Sequence, residues 1–138
     1  MYKRQRSILA RGGAIAMYSE GGRSRTGKLA ESVRPGIGRL ALQSGATVVP
    51  IAIHGSSKVR NWRRLQFPKV TVRYGDPIVW DRVEDPTREQ QQAVADEIFA
   101  AIKALYAELE ADGRKGVARR VRELRRAERS GRKKAAPA

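Results

Sequence analysis

Cysteine is absent from this chain of 138 residues, and histidine occurs once, at His54. The missing thiols exclude a disulfide scaffold and thiolate chemistry, and they fit a reducing compartment. A single histidine excludes a metal centre built from several imidazoles of this chain. It also leaves any serine nucleophile short of its usual partner. Long apolar runs are missing too. The best of them, residues 48–53, is short and carries Pro50, far from the ~20 apolar residues of a membrane-spanning helix. Any membrane contact is therefore expected to be peripheral. No internal repeat is visible.

Acidic residues are few: 14 Asp and Glu stand against 29 Lys and Arg, a formal charge of +15. That balance points to an anionic partner, either nucleic acid or a phosphate-bearing membrane surface. The excess is uneven. Residues 113–138 hold eleven basic and two acidic residues, yet residues 1–112 are basic in their own right. Hydrophobic residues make up 41% of the chain, which argues against wholesale disorder and allows one modest core. Two units are expected: a partial α/β domain over 1–112, and an arginine-rich tail over 113–138 that is helical and then disordered.

Along the body, Arg11-Gly12-Gly13 reads as the turn after a helix covering the first ten residues. Residues 14–18, apolar without alternation, read as a short strand buried on both faces, as in a parallel sheet. Ile37, Leu40, Ala41 and Ser44 share one helical face, with Gly45 as the stop. Residues 47–53 form a second apolar strand in which Pro50 marks an edge or a bulge. A basic connection with Trp62 follows over 55–66. It suits either an anionic membrane interface or packing of the indole beneath a surface loop. Residues 69–75 alternate, with Val70, Val72 and Tyr74 on one side and Thr71 and Arg73 on the other. Asp85 as N-cap and Pro86 at the first helical position start a helix. It carries Val94, Ile98, Ile102, Leu105 and Leu109 on one face and stops near Gly113. Val117, Val121 and Leu124 then line a thin amphipathic helix, and Trp80 reads as a core residue.

The stretch YSEGGRSRTGK, residues 18–28, packs an acid, three glycines, two arginines and a lysine directly behind the first apolar run. Consecutive glycines free backbone N–H groups to converge on an anion. Arg23 and Arg25 offer planar forks that match phosphate, Glu20 can hold one of them in place, and Ser24 and Thr26 can donate further bonds. A loop at the carboxyl end of a strand is also where open α/β sheets usually bind ligands. A solvated loop with a surface Glu–Arg pair is the plain alternative.

These residues, with VRPGIGRLALQSG and ATVVPIAIHG behind them, resemble the second half of the glycerolipid acyltransferase family, typified by 1-acylglycerol-3-phosphate acyltransferase. Its members carry Phe-Pro-Glu-Gly-Thr-Arg-Ser, then a Lys-Pro-Gly helix start, then a Val-Pro-Val/Ile strand. The resemblance runs from about Ile8 to about Gly75. It implies the C-terminal half of an acyltransferase-type α/β domain, a mixed sheet flanked by helices. It implies that Glu20, Gly21 and Arg23, with neighbouring Gly22, Ser24 and Arg25, bind a glycerol phosphate. Val49, Pro50 and Ile51 would lie near the acyl site. Tyr18-Ser19 stand in place of Phe-Pro, and Gly22 in place of Thr, which loosens the loop and removes a hydroxyl.

In that family the general base belongs to a His-x-x-x-x-Asp motif upstream of the loop. Here the fifth residue after His54 is Val59 and His54 follows the second strand, so it reads as a strand-end histidine. No catalytic residue is assigned. The resemblance makes the chain a fragment or a remnant, of which a fragment is the expectation. It would supply the phosphate-binding half of acyl transfer from acyl-CoA or an acyl-carrier protein to 1-acylglycerol-3-phosphate, and be inactive alone. No cofactor or metal is implied. The expected partners are a lysophosphatidate-type phospholipid, an anionic membrane surface and acyl-carrier protein, with no specific nucleic acid. The expected location is cytoplasmic, at the inner face of the plasma membrane. The alternative is a small basic protein that binds nucleic acid or an anionic surface, with the tail providing charge.

Overall fold

The computed structural model describes residues 2–21, 28–56 and 70–135, with side chains described as far as residue 127. The elements are α1 (Lys3–Ala10), α2 (Gly36–Ser44), β1 (Ile51–His54), β2 (Thr71–Tyr74) and α3 (Arg88–Ala135). Helix α1 ends as the glycines imply. Gly12 takes a positive φ of 76° and donates its N–H to the Leu9 carbonyl at 3.0 Å. Helix α2 ends on Gly45, whose left-handed φ of 61° lets its N–H reach the Ala41 carbonyl.

Helix α3 starts two residues later than Asp85-Pro86 suggest. Thr87 is the working cap: its Oγ1 accepts from the Gln90 N–H at 3.3 Å, and Gln90 Oε1 accepts from the Thr87 N–H at 2.9 Å. This reciprocal pair satisfies two otherwise orphaned donors. Gly113, at φ 61° and ψ 179°, interrupts the helix where the sequence suggested a stop. The backbone then resumes its turns, Asp112 and Arg120 pair across the break, and Val117 returns to the core. Helical backbone continues to Ala135, into a stretch expected to be disordered.

The core forms where α2 crosses α3. Ala41, Leu42, Val94 and Ile98 pack together with Ile37, Trp80 and Ile102 at their margin. Beside them Val33 sits against Ala95 and Phe99. Trp80 is only partly buried, and its Nε1 donates to Glu97 Oε2 at 3.0 Å. At the crossing the two backbones nearly touch: a Cβ on Gly38 would collide with the Gln91 carbonyl and lie 2.9 Å from the Ala95 nitrogen.

The sheet departs from expectation. Among the described residues it has two strands, paired antiparallel with Ile51 opposite Tyr74 and Ile53 opposite Val72, and an isolated bridge joins Val48 to Ile78. Pro50 explains the gap between bridge and strand, because it has no N–H to donate to the ladder. Residues 14–18 are irregular and mostly exposed rather than a buried strand. Among the described residues no strand lies beside them, so nothing completes a ladder. The alternation of β2 is present, with its apolar side turned outward. Val72 and Tyr74 are exposed, as are Ile51 and Ile53, while Ala52 is buried against Leu109 and Val117. Arg73, on the helix side, lies 3.9 Å from Glu108. Residues 57–69, including Trp62, lie outside the described residues.

Gly38→Val tests the crossing. Overpacking against rigid backbone costs about 1–3 kcal/mol, more than the roughly 0.3–0.5 kcal/mol of helix propensity gained when valine replaces glycine. The urea midpoint is expected to fall. An unchanged midpoint would show that α2 can stand further from α3.

Candidate functional site

The chain turns tightly into its glycine-rich loop. Gly21 donates its N–H to the Tyr18 carbonyl at 3.1 Å and adopts φ 71°, a conformation that other residues adopt only with strain. Glu20 is half-buried, and its Oε2 accepts the Ala30 N–H at 3.2 Å. Its carboxylate therefore clips the two ends of the loop together. The sequence suggested that Glu20 could also hold Arg23 or Arg25, which lie outside the described residues, as do all of residues 22–27, Gly22 and Ser24 included.

Among the described residues, Arg34 is a cation that lies against this turn. A Cβ on Gly21 would stand 3.2 Å from both Cδ and Nε of Arg34 and 3.6 Å from Cζ. The guanidinium thus lies over the glycine, and a side chain there would make it give way by a few tenths of an ångström. Arg34, which stands in VRPGIG where the resembling family has the lysine of its Lys-Pro-Gly helix start, was not counted among the binding residues. The signal available was its place just ahead of Pro35, with Val33 beside it. Val33 is buried, the Val33 carbonyl accepts from Gln92 Nε2 at 3.3 Å, and the Glu31 carbonyl accepts from Lys103 Nζ at 3.3 Å. Residues 30–34 are thereby fastened to α3 at three points.

An apolar groove of about 270 Å³ runs beside the turn. Met17 and Tyr18 line one wall, Val49 and Ile51 another, and Leu40 and Ile102 lie deeper. Pro50, buried itself, also contributes to the lining. The segment that forms one wall is the same one that enters the Gly21 turn.

At the end of β1 the ring of His54 meets that of Tyr106, with centroids 5.5 Å apart and planes at 59°. Burial raises the Tyr106 phenol above the usual tyrosine value, and the negative charges of Glu110 and Glu20 push it the same way. Tyr106 was missed in the sequence, where the apolar stripe of α3 drew notice to its neighbours Leu105 and Leu109. Among the described residues no three His, Cys, Asp or Glu side chains converge as a metal site would require. No described helix is long and apolar enough to cross a membrane.

Residues 1–54 match the family model of acyltransferases. The match takes in α1, the glycine-rich loop, α2 and β1, and agrees over that part of the chain with the likeness to glycerolipid acyltransferases. It is partial, and the described structure establishes a mixed α/β arrangement. Neither the curated proteins nor the solved structures offer a match. Within the acyltransferase-like part, Glu20, Gly21 and Arg34 meet at the turn, and Val49, Pro50 and Ile51 lie along the groove.

The Tyr106 shift has a consequence for stability. Its pKa is raised in the folded chain, so the unfolded chain loses the proton first. The contribution is complete below the ordinary value near 10 and is lost as pH climbs through the folded value. Tyr106→Phe is expected to flatten the alkaline loss of stability and to remove the latest-rising part of the tyrosinate absorbance at high pH. An unaltered alkaline profile would contradict the assignment.

Proposed function

We propose that this chain binds 1-acylglycerol-3-phosphate for acyl transfer from an acyl thioester, carried on CoA or an acyl-carrier protein, in phospholipid synthesis. The observation that carries the reading is one continuous piece of backbone. Residues 17–18 wall an apolar groove, and within three residues the same chain turns at Gly21 beneath Arg34. A lysophospholipid has the matching division, an apolar tail joined through glycerol to a phosphomonoester.

The roles divide accordingly. Arg34 meets the phosphate with a planar fork, a charge-assisted contact. Gly21 keeps the turn open to close approach, and the Glu20 clip holds the two ends of the loop together. Arg23, Arg25 and Ser24 add donors from the same loop. Val49 and Ile51 take the apolar chain. Acyl transfer itself needs the acceptor hydroxyl to attack the thioester carbonyl, with its proton passing to a base and the thiol leaving. His54 packs on Tyr106 at a strand end, and no residue of the chain is assigned as that base. The chain acts at the cytoplasmic face of an anionic membrane, where its positive charge favours attachment.

Purified protein is expected to bind lysophosphatidate and to transfer no acyl group by itself. Arg34→Gln removes one charge-assisted contact of ~1.5–3 kcal/mol, and so weakens binding roughly tenfold or more by calorimetry. Gly21→Ala weakens it as well, by straining the turn and displacing Arg34. Gly12→Ala, at another positive φ with nothing within 4 Å, serves as the control. Salt-sensitive DNA binding with no preference for lysophosphatidate would overturn the proposal in favour of a nucleic-acid binder.

A further inference from the structure

A second cationic site lies away from the loop. Lys3, Arg6 and Ser7 share one face of α1 and look across an open pocket of about 500 Å³ toward Gln43, Ser44 and Arg82. It has no lining residue in common with the apolar groove except Ser44, and none with the Glu20–Arg34 turn. Its sequence signal is plain in hindsight. Helix α1 reads KRQRSILA and α2 reads GIGRLALQS, so neither brings a carboxylate to the cleft between them.

The third cation is held in place by the fold. The Val83 N–H donates to the Leu42 carbonyl at 2.9 Å, and Gln43 Nε2 donates to the Glu84 carbonyl at 3.2 Å. These two bonds lay residues 82–84 along the last turn of α2. The stem of Arg82 rests against Gly45, where an added Cβ would stand 3.4 Å from its own Cβ. Its guanidinium lies 3.9 Å from Glu84, but that carboxylate is 90% exposed, so the pairing is weak. Gln43 and Ser44 form the polar floor. Ser44 Oγ donates to the Leu40 carbonyl at 2.7 Å, which leaves Lys3, Arg6, Ser7 and Arg82 as the groups facing the opening.

Three cations around a pocket without a carboxylate in its lining repel one another, and a multiply charged anion relieves that repulsion while accepting several hydrogen bonds. A pocket of this size exceeds a bare phosphate. We infer that Lys3, Arg6 and Arg82 form a binding site for a phosphomonoester, separate from the site proposed at the Gly21 turn. The phosphate is carried either by a soluble metabolite or by a lipid headgroup.

The test follows backbone amide signals of the whole protein by NMR while inorganic phosphate is added, with chloride at matched ionic strength as the reference. Saturable shifts at Ser7 and Ser44 are expected. They should weaken at least tenfold in the Arg6→Gln/Arg82→Gln variant and persist in Arg34→Gln, whose loss belongs to the other site. Both arginines of the double variant are exposed, and its amide spectrum also reports whether it has folded. Cosedimentation with phosphatidylcholine vesicles, with and without phosphatidate, separates the two sources. Binding to phosphate in solution assigns a soluble phosphomonoester. Binding to phosphatidate vesicles alone, lost in the double variant, assigns a headgroup. Shifts equally produced by chloride, shifts retained in the double variant, or no response to either probe would overturn the inference.

Discussion

The near-contact of two backbones at Gly38 governs the arrangement of everything else. Helix α2 can lie on α3 only where a residue without a side chain meets the Gln91 carbonyl, and Ala95 opposite is completely buried. From that crossing the apolar faces diverge, with Leu42, Val94 and Ile98 on one flank and Val33 with Phe99 on the other. Such close approach maximises dispersion contacts per residue, which matters in a chain whose core is split into small clusters. It also fixes both ends of α2. The N-terminal end carries Arg34 toward the glycine turn, and the C-terminal end receives residues 82–84.

The two cationic regions therefore derive from one short helix. At its start, Val33 is buried against Ala95 and Phe99 of α3 while Arg34, the next residue, projects over Gly21. At its finish, the left-handed Gly45 ends the helix and leaves room for the Arg82 stem. Positive charge near a helix C-terminus also suits the helix dipole, so Arg82 has a structural reason to stay where it is. The apolar groove lies between these regions and is walled in part by Leu40 and Ala41 of the same helix. Position along α2 thus separates polar from apolar surface.

What could be read from the sequence was whatever is encoded locally. Ile37, Leu40 and Ala41, or Val94, Ile98 and Leu109, repeat at helical spacing because one helix face is buried, and Gly45 and Gly113 mark where that repeat is interrupted. Capping needs finer detail. Asp85 and Pro86 have the right chemistry, but the reciprocal bonds of Thr87 and Gln90 define the start of α3. The run at 14–18 has strand composition, yet a strand exists only with a partner, and partnership is not written in the run itself. The loop's arginine-rich character was legible, as were Glu20 and Gly21 at its start. That Glu20 would turn inward to Ala30 was not, because it depends on where residue 30 is held. Arg34 and Tyr106 were hidden for the same reason: each gains its role from a neighbour distant in sequence.

The reversed face of the small sheet changes which substitutions this protein can absorb. Ile51, Ile53, Val72 and Tyr74 are the residues that make the strands recognisable, yet none is in the core: Val72 and Tyr74 are exposed, and Ile51 and Ile53 line the open apolar groove. Ala52 is buried under Leu109, and Arg73 has an Nε that is buried with no hydrogen bond of its own. Mutational tolerance therefore runs against hydropathy here. Trading the exposed Val72 for threonine disturbs no core cluster, whereas a single added methylene at the plain alanine must displace the helix beneath it.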